Sequence, residues 1–266
     1  MKKILSSLAI IIGLTLPAAA QNASGNKAHT ADLVEGSAKV GTYEVNVGDF
    51  ENLNVVDGIE VELHCLPDSA GRVYFETSRE IASGLIFTNN QKGKLTIEKQ
   101  FHEEGQLVYN LPTIHVFTRF LTEVTNAGDS TVRVNNPKPC PKFKATLIGN
   151  GKLIVRDLDC NKVEGSIQTG NGTLVLSGTS KEVTLSNTGV GTILADDLQT
   201  TKATCKFFGK GTTGVWATDE ITVKGMFPGK LYYKGNPQKI KNYGMGVKVI
   251  RMTDGLPVAD TEITDR

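Results

Sequence analysis

The chain has 266 residues with 29 basic and 28 acidic side chains, and a net charge this close to zero argues against nucleic acid as a partner. Beyond residue 20 no run of 18 apolar residues occurs, so no transmembrane segment is predicted. Glycine is abundant, at 28 residues, and short apolar runs alternate with turn residues, which favours an all-β chain.

The first 20 residues have the pattern of a secretory signal peptide. Lys2 and Lys3 precede an apolar stretch at 4–16, and three alanines at 18–20 form an expected cleavage site. We therefore expect export to the periplasm, the outer cell surface or the medium. No cysteine stands at the cleavage point, so a lipid anchor is not expected. Residues 21–40 are small, polar and aperiodic, which predicts a flexible leader.

The next part of the chain predicts irregular strands, either opening coils or a capping sheet. Alternating apolar and polar residues are interrupted by Asp-Gly, Asn-Asn and Lys-Gly turns. The segments are "TYEVNVGDFENLNVVDGIEVELHCLP", "GRVYFETS", "GLIFTNNQKGKLTIEKQ" and "LPTIHVFTRFLTEVTNAG".

The second half contains a repeat of about 20 residues. A turn followed by a short strand recurs as "GDSTVRV", "GNGKLIV", "GNGTLVL", "GVGTILA" and "GKGTTGV", starting at residues 128, 149, 170, 189 and 209. A second strand precedes each turn, and its first core residues align as Phe143, Val163, Val183, Ala203 and Ile221. In both strands we expect apolar residues inward and Thr, Lys, Asp or Glu outward.

Stacking such units would bury one continuous core, which is the physics of a solenoid. We predict a parallel β-helix, expected to be right-handed, with coils of about 20 residues; an up-and-down set of hairpins is the alternative. The glycines would lie at corners where the backbone has positive φ and coils crowd closely. Residues 41–252 would form one domain, closed at its C-terminal end by 233–252, and 253–266 would be a tail.

Four cysteines occur, at 65, 140, 160 and 205. The repeat places Cys140 and Cys160 in one column of neighbouring coils, within disulfide distance, followed by Ser180 and Thr200. An oxidising compartment would favour a bridge, and two buried thiols are the alternative. Cys205 is predicted to pack in the core beside Ala145, Leu185 and Val223 positions of other coils.

Candidate ligand-binding side chains are few. Asp157, Asp159, Asp196 and Asp197 lie at equivalent bends two coils apart, and they are interpreted as lining an outer groove, as binding a cation, or as solvated turns. Phe208 and Trp216 are predicted to point outward on the last coils, where they would contact a carbohydrate or a protein, or cap the end of the stack.

Other chemistry is not indicated by motif. The histidines at 29, 64, 102 and 115 show no metal-ligand spacing, no phosphate-binding glycine loop opens a helix, and no nucleophile motif occurs. We therefore predict no cofactor, no metal and no catalytic residues.

The order of four features resembles the family described as "putative auto-transporter adhesin, head GIN domain". They are "GDFENLNVVDGIEVEL", "GKLTIEK", the "GNG", "GVG" and "GKG" turns, and "LYYKGNP" followed by "GMG". The resemblance implies a β-helical envelope protein that adheres to a glycan or to a host or cell-surface protein. Two alternatives stay open: a polysaccharide lyase or hydrolase with carboxylates on the helix face, and a purely structural envelope module.

Overall fold

The computed structural model describes residues 40–100 and 111–252. The predicted signal peptide, the leader before residue 40 and the tail at 253–266 lie outside these residues. The described chain is almost entirely β, and stacked parallel coils form a β-solenoid of about six turns. The predicted fold class is therefore confirmed.

The first half of the chain contributes short strands. In chain order they and the helices between them are β1 (Val40–Asn46), β2 (Asn52–Val56), β3 (Val61–Cys65), a 3-10 helix (Pro67–Ser69), β4 (Arg72–Ser78), α1 (Arg79–Ser83), β5 (Leu85–Asn89), β6 (Lys94–Lys99), β7 (Ile114–Thr118), β8 (Glu123–Ala127) and β9 (Thr131–Asn135). Ser78 caps α1 because its hydroxyl accepts a hydrogen bond from the Ile81 amide. No helix of the described residues is long and apolar enough to cross a membrane.

The second half is built of longer strands, most of which run along two sides of the solenoid. They are β10 (Cys140–Ile148), β11 (Lys152–Thr169), β12 (Thr173–Asn187), β13 (Thr192–Phe207), β14 (Thr212–Gly225), β15 (Lys230–Lys234), β16 (Lys239–Gly244) and β17 (Lys248–Arg251). In β11, β12 and β13 the register shifts midway, after Val155, Val175 and Ala195, and there the strand passes from one side to the other.

These pairings produce two walls. The front wall stacks β7, β3, β9, the first parts of β11 to β14, then β15 and β17. The back wall stacks β6, β2, β8, β10, the later parts of β11 to β14, and β16. Strands β16 and β17 form the last coil. This coil lies at the C-terminal end of the stack, which we predicted that residues 233–252 would close.

At the N-terminal end the coils do not follow chain order. The coil of β2 and β3 lies between that of β6 and β7 and that of β8 and β9. Beyond it, β4 pairs antiparallel with β7, β1 with β4, and β5 with β6. These antiparallel strands cover the edges that the coil of β6 and β7, the outermost parallel coil at this end, would expose. The end thus contains both opening coils and a capping layer.

The predicted columns match the observed register. Phe143, Val163, Val183, Ala203 and Ile221 pair in succession and are at most 2% exposed. Near the C-terminal end, Gly229 leaves room for the ring of Phe207, which a side chain at that position would enter. The buried apolar residues therefore form one continuous cluster along the stack, as the repeat predicted.

The corner glycines are needed mainly for close approach. A Cβ on Gly172 would lie 2.5 Å from the Gly151 carbonyl oxygen, and one on Gly191 would lie 2.3 Å from that of Gly172. Positive φ, which we predicted for these corners generally, occurs at Gly149 and Gly170 but not at Gly172 or Gly191. Any Cβ at these corners would push neighbouring coils apart, which explains why the repeat keeps glycine.

Candidate functional site

The outward surface of the front wall carries three parallel columns of side chains, because successive strand residues alternate between core and solvent. The first column is mostly threonine and lysine, and its members are Thr131, Lys152, Thr173, Thr192, Thr212, Lys230 and Lys248. It matches the polar outward positions that the repeat predicted.

The middle column is apolar over the C-terminal coils, contrary to that prediction. Its members pair directly from coil to coil and are Ile154, Val175, Leu194, Gly214, Tyr232 and Ile250. We call this column the apolar stripe. At the usual spacing between strands it extends about 24 Å. Continuous runs such as "LIV" and "LVL" in the repeat were the sequence signal that a strand had apolar residues on both faces.

The stripe is shielded mainly by its own neighbours. Ile154 is only 7% exposed although it points away from the core, and Ile250 at the end of the stack is 38% exposed. Val175, Leu194 and Tyr232 are half-buried. An apolar column with polar columns beside it is the usual composition of a surface that contacts another molecule.

Trp216 lies in the third outward column, beside the stripe. It is half-buried rather than exposed, and the Lys234 ammonium lies 4.8 Å from its ring centroid. Lys234 also forms a 2.9 Å ion pair with Asp197. The structure thus links two residues that we predicted separately, since one lysine holds both the ring and the carboxylate.

Phe208 does not belong to the same patch. It lies at the corner where the chain enters the front wall, and the front-wall part of β14 separates it from Trp216. Phe208 is 47% exposed and is followed in the next two coils by the exposed side chains of Met226 and Met245. The two predicted aromatic residues therefore mark opposite edges of the front wall.

The four predicted aspartates are not brought together. Asp197 pairs with Ser177, and Asp159 pairs with Thr179, so the coil of β12 lies between the two groups, as the repeat predicted. Asp157 occupies the irregular bend of β11 with a φ of 59°. Carboxylates on coils two apart are separated by about 10 Å. The two groups of aspartates therefore do not converge across the coils, and Asp197 is already paired with Lys234.

Cys140 and Cys160 are register partners, as predicted, and Ser180 and Thr200 follow in the same column. Both cysteines are buried free thiols in this structure, so the disulfide stays a prediction. Burial and the neighbouring thiol raise the pKa of Cys140 to about 12. A shallow groove of about 490 Å³ lies over this column and is lined by Pro139, Cys140, Pro141, Asp159, Cys160, Asn161, Thr179, Ser180 and Lys181.

The remaining cysteines pack in the core. Cys205 is fully buried and pairs with Leu185 and Val223, as predicted, and burial raises its thiol pKa to about 12. Cys65 is also buried, and burial raises its pKa to about 11. Neither thiol is a nucleophile near neutral pH, because the reactive species is the thiolate.

At the N-terminal end of the front wall, three potential metal ligands lie together. Glu62 and His115 are register partners on β3 and β7, and His64 follows Glu62 by two residues on the same side of β3. Their ligand atoms lie within 4.8 Å of one another. Burial lowers the pKa of His64 from its ordinary value; Glu62 opposes this effect and His115 adds to it. Motif spacing did not predict this cluster, because His64 and His115 come from separate parts of the chain.

A family model described as "Putative auto-transporter adhesin, head GIN domain" matches residues 49–237. Among the curated proteins none matches.

Solved structures of similar fold exist. A "putative adhesin" from Bacteroides fragilis NCTC 9343 has 21% identity and a TM-score of 0.72, covering 81% of this chain and 97% of its own. From Parabacteroides distasonis ATCC 8503, a "putative adhesin" has 21% identity and a TM-score of 0.64, and a "putative lipid binding protein" has 19% identity and a TM-score of 0.62. Each of these two covers 82% of this chain and 98% of its own. At these identities the likeness concerns the fold.

Proposed function

This chain belongs to the family described as "putative auto-transporter adhesin, head GIN domain", and on that premise we propose that it is a non-enzymatic adhesive module whose front wall binds a partner outside the cell. Family membership supports a surface location, and the signal peptide predicted at residues 1–20 supplies the route of export. The single observation that carries the proposal is the apolar stripe. An outward column that only faces water is expected to be polar, as the neighbouring column of threonines and lysines is.

A protein surface is the partner that the stripe fits best. Its first three members, Ile154, Val175 and Leu194, are aliphatic, whereas sugar binding relies on exposed aromatic faces. A flat apolar strip with threonines and lysines along one side matches the composition of a protein interface, with an apolar centre and a polar rim. Trp216 and Tyr232 at the C-terminal end are the positions where a glycan would stack instead.

The test begins with a screen of the purified protein against extracellular and cell-surface proteins, glycan arrays and lipid vesicles. A protein hit is then titrated against Leu194→Lys, which places a charge in the middle of the stripe. Thr204→Lys is the matched control, because Thr204 is a half-buried outward residue of the back wall. We expect Leu194→Lys to weaken binding at least about tenfold, as for a residue at the centre of an interface, and Thr204→Lys to leave it unchanged.

Three outcomes would contradict the proposal. Equal loss in both variants would place the contact elsewhere, and chemical turnover of a bound polysaccharide would favour the hydrolase or lyase. Absence of any partner in the screen would favour a structural envelope module. Circular dichroism of both variants checks that the substitutions leave the fold intact.

A further inference from the structure

The cluster at the N-terminal end of the front wall has the composition of a metal site. We propose that Glu62, His64 and His115 bind a divalent transition-metal ion of the zinc class. Two imidazoles and one carboxylate are a ligand set that zinc uses in proteins, and Mg²⁺ and Ca²⁺ prefer oxygen ligands. This proposal stands independently of the adhesive function.

The strands hold the three side chains in the required arrangement. Glu62 lies directly opposite His115 across the β3–β7 pair, and His64 projects from the same face of β3. Residues at positions i and i+2 of one strand share a face, and a direct cross-strand partner is the nearest side chain on that face. Two neighbouring strands therefore position all three ligands without any contribution from a loop.

The distances suit a tetrahedral ion. Zinc bonds of about 2.0–2.1 Å place two ligand atoms about 3.4 Å apart. The His115 Nδ1 and Glu62 Oε2 atoms are already 3.5 Å apart. All ligand atoms lie within 4.8 Å of one another, so no separation must close by more than about 1.4 Å, a shift that side-chain rotation supplies on fixed strands.

Neighbouring rings restrict the two imidazoles. The ring of Phe117 stacks on His64 at 5.4 Å, and the ring of Tyr74 lies 6.1 Å from His115 at an angle of 45°. Restricted rings lose less entropy when they bind a metal. Arg133 is the competing cation, with its Nη1 atom 3.9 Å from Glu62, and Glu60 holds that guanidinium with a stronger contact of 2.6 Å.

Three protein ligands leave the coordination sphere open. The side chains of His115 and Glu62 are 35% and 30% exposed, so the fourth position faces solvent. An open position accepts water or an oxygen or nitrogen atom of another molecule. Glu62 and His115 belong to the same outward column as the apolar stripe, joined to it through Arg133.

The test is zinc titration by isothermal calorimetry of the purified protein, prepared without a polyhistidine tag. We expect one site per chain, weakened at least about tenfold in His64→Ala, His115→Ala and Glu62→Gln, since even groups that only orient a ligand contribute that much. Glu44→Gln is the matched control and should bind as the wild type does, because Glu44 is an exposed strand glutamate that pairs with Arg72. Replacing zinc by cobalt should give the visible absorption of a four-coordinate ion with nitrogen ligands.

Several results would overturn the proposal. They are no saturable heat with excess zinc, unchanged affinity in the three ligand variants, or equal loss in Glu44→Gln. Equal affinity for magnesium would also contradict a site with two imidazoles. Thermal unfolding of the metal-free variants separates loss of binding from loss of fold. The three side chains are only half-buried, so their removal should leave the unfolding temperature near that of the wild type.

Discussion

Replacing Gly172 by alanine should destabilise the solenoid, because this corner has no room for a Cβ. The added atom would lie 2.5 Å from the Gly151 carbonyl oxygen and 2.7 Å from a methyl carbon of Leu147. That oxygen accepts a 3.0 Å hydrogen bond from the Thr173 amide, one of the bonds that join neighbouring coils. Relief of the clash therefore requires the coils to separate where they are bonded.

The magnitude follows from three effects. Overpacking costs about 1–3 kcal/mol, and weakening one inter-coil hydrogen bond costs about 1 kcal/mol. Alanine returns about 0.4–1 kcal/mol by restricting the unfolded chain. We expect the free energy of unfolding to fall by about 2 kcal/mol, which for a chain of this size lowers Tm by about 4–8 °C.

Two further glycines provide graded controls. At Gly165 the Cβ would meet the methyl groups of Leu176 and Leu185 at 2.8 and 3.0 Å, and these side-chain ends can move, so the cost should be about 1 kcal/mol or less. At Gly41 the nearest atoms are ring atoms of Tyr43 at 3.5 Å or more, an ordinary contact, so the change should stay within about 0.5 kcal/mol.

The assay is urea unfolding followed by far-ultraviolet circular dichroism, with the slope m compared among variants. The expected order of destabilisation is Gly172→Ala, then Gly165→Ala, then Gly41→Ala. If Gly172→Ala is as stable as Gly41→Ala at unchanged m, close approach of coils is not the reason for glycine at this corner.

Two other outcomes are expected. Under oxidising conditions Cys140 and Cys160 should form a disulfide, which mass spectrometry would detect as a linked peptide. Closing its 20-residue loop should add about 3 kcal/mol to the free energy of unfolding. Equal stability of the oxidised protein and of a variant with serine at both positions would refute this. Hydrogen bonds from Lys142 and Lys162 hold the pKa of Glu164 below its ordinary value. The contribution of Glu164 to stability is therefore present above the unfolded pKa of about 4.3 and is lost as the pH falls through the folded pKa. At neutral pH, Glu164→Gln should lower the free energy of unfolding by less than about 1 kcal/mol. In urea titrations at acid pH the difference between the two proteins should vanish. A difference that grows in acid would contradict that sign.

Much of the second half could be predicted from the repeat. Equal steps along the chain place equivalent residues one above another, so the columns of Phe143 and of Cys140 with Cys160 follow from counting. The length of the repeat does not determine whether an outward position is polar. We expected polar residues at every outward position of the two-residue alternation, and we therefore missed the apolar stripe that begins with Ile154 and Val175. Their exposure depends on what the neighbouring coils shield.

The candidate sites depended more on chain path. Phe208 and Trp216 were both predicted to point outward, yet one lies at a corner and the other in the third column of the front wall. The link from Asp197 through Lys234 to Trp216 joins three different strands. No constant spacing in the sequence identifies it, because the step between register partners is 20 residues from Thr192 to Thr212 but 18 from Thr212 to Lys230.

The sequence by itself determined the class of fold, the coil length, the corner glycines and the order of the core columns, because a constant repeat can bury its apolar residues in only a few ways. The tertiary structure decided the arrangement of the irregular end, where the β2–β3 coil inserts between two later coils. That insertion places His64 beside His115, which is 51 residues away in the chain. Contacts of this kind depend on which strand edge is free when a coil docks, and no local pattern encodes that choice.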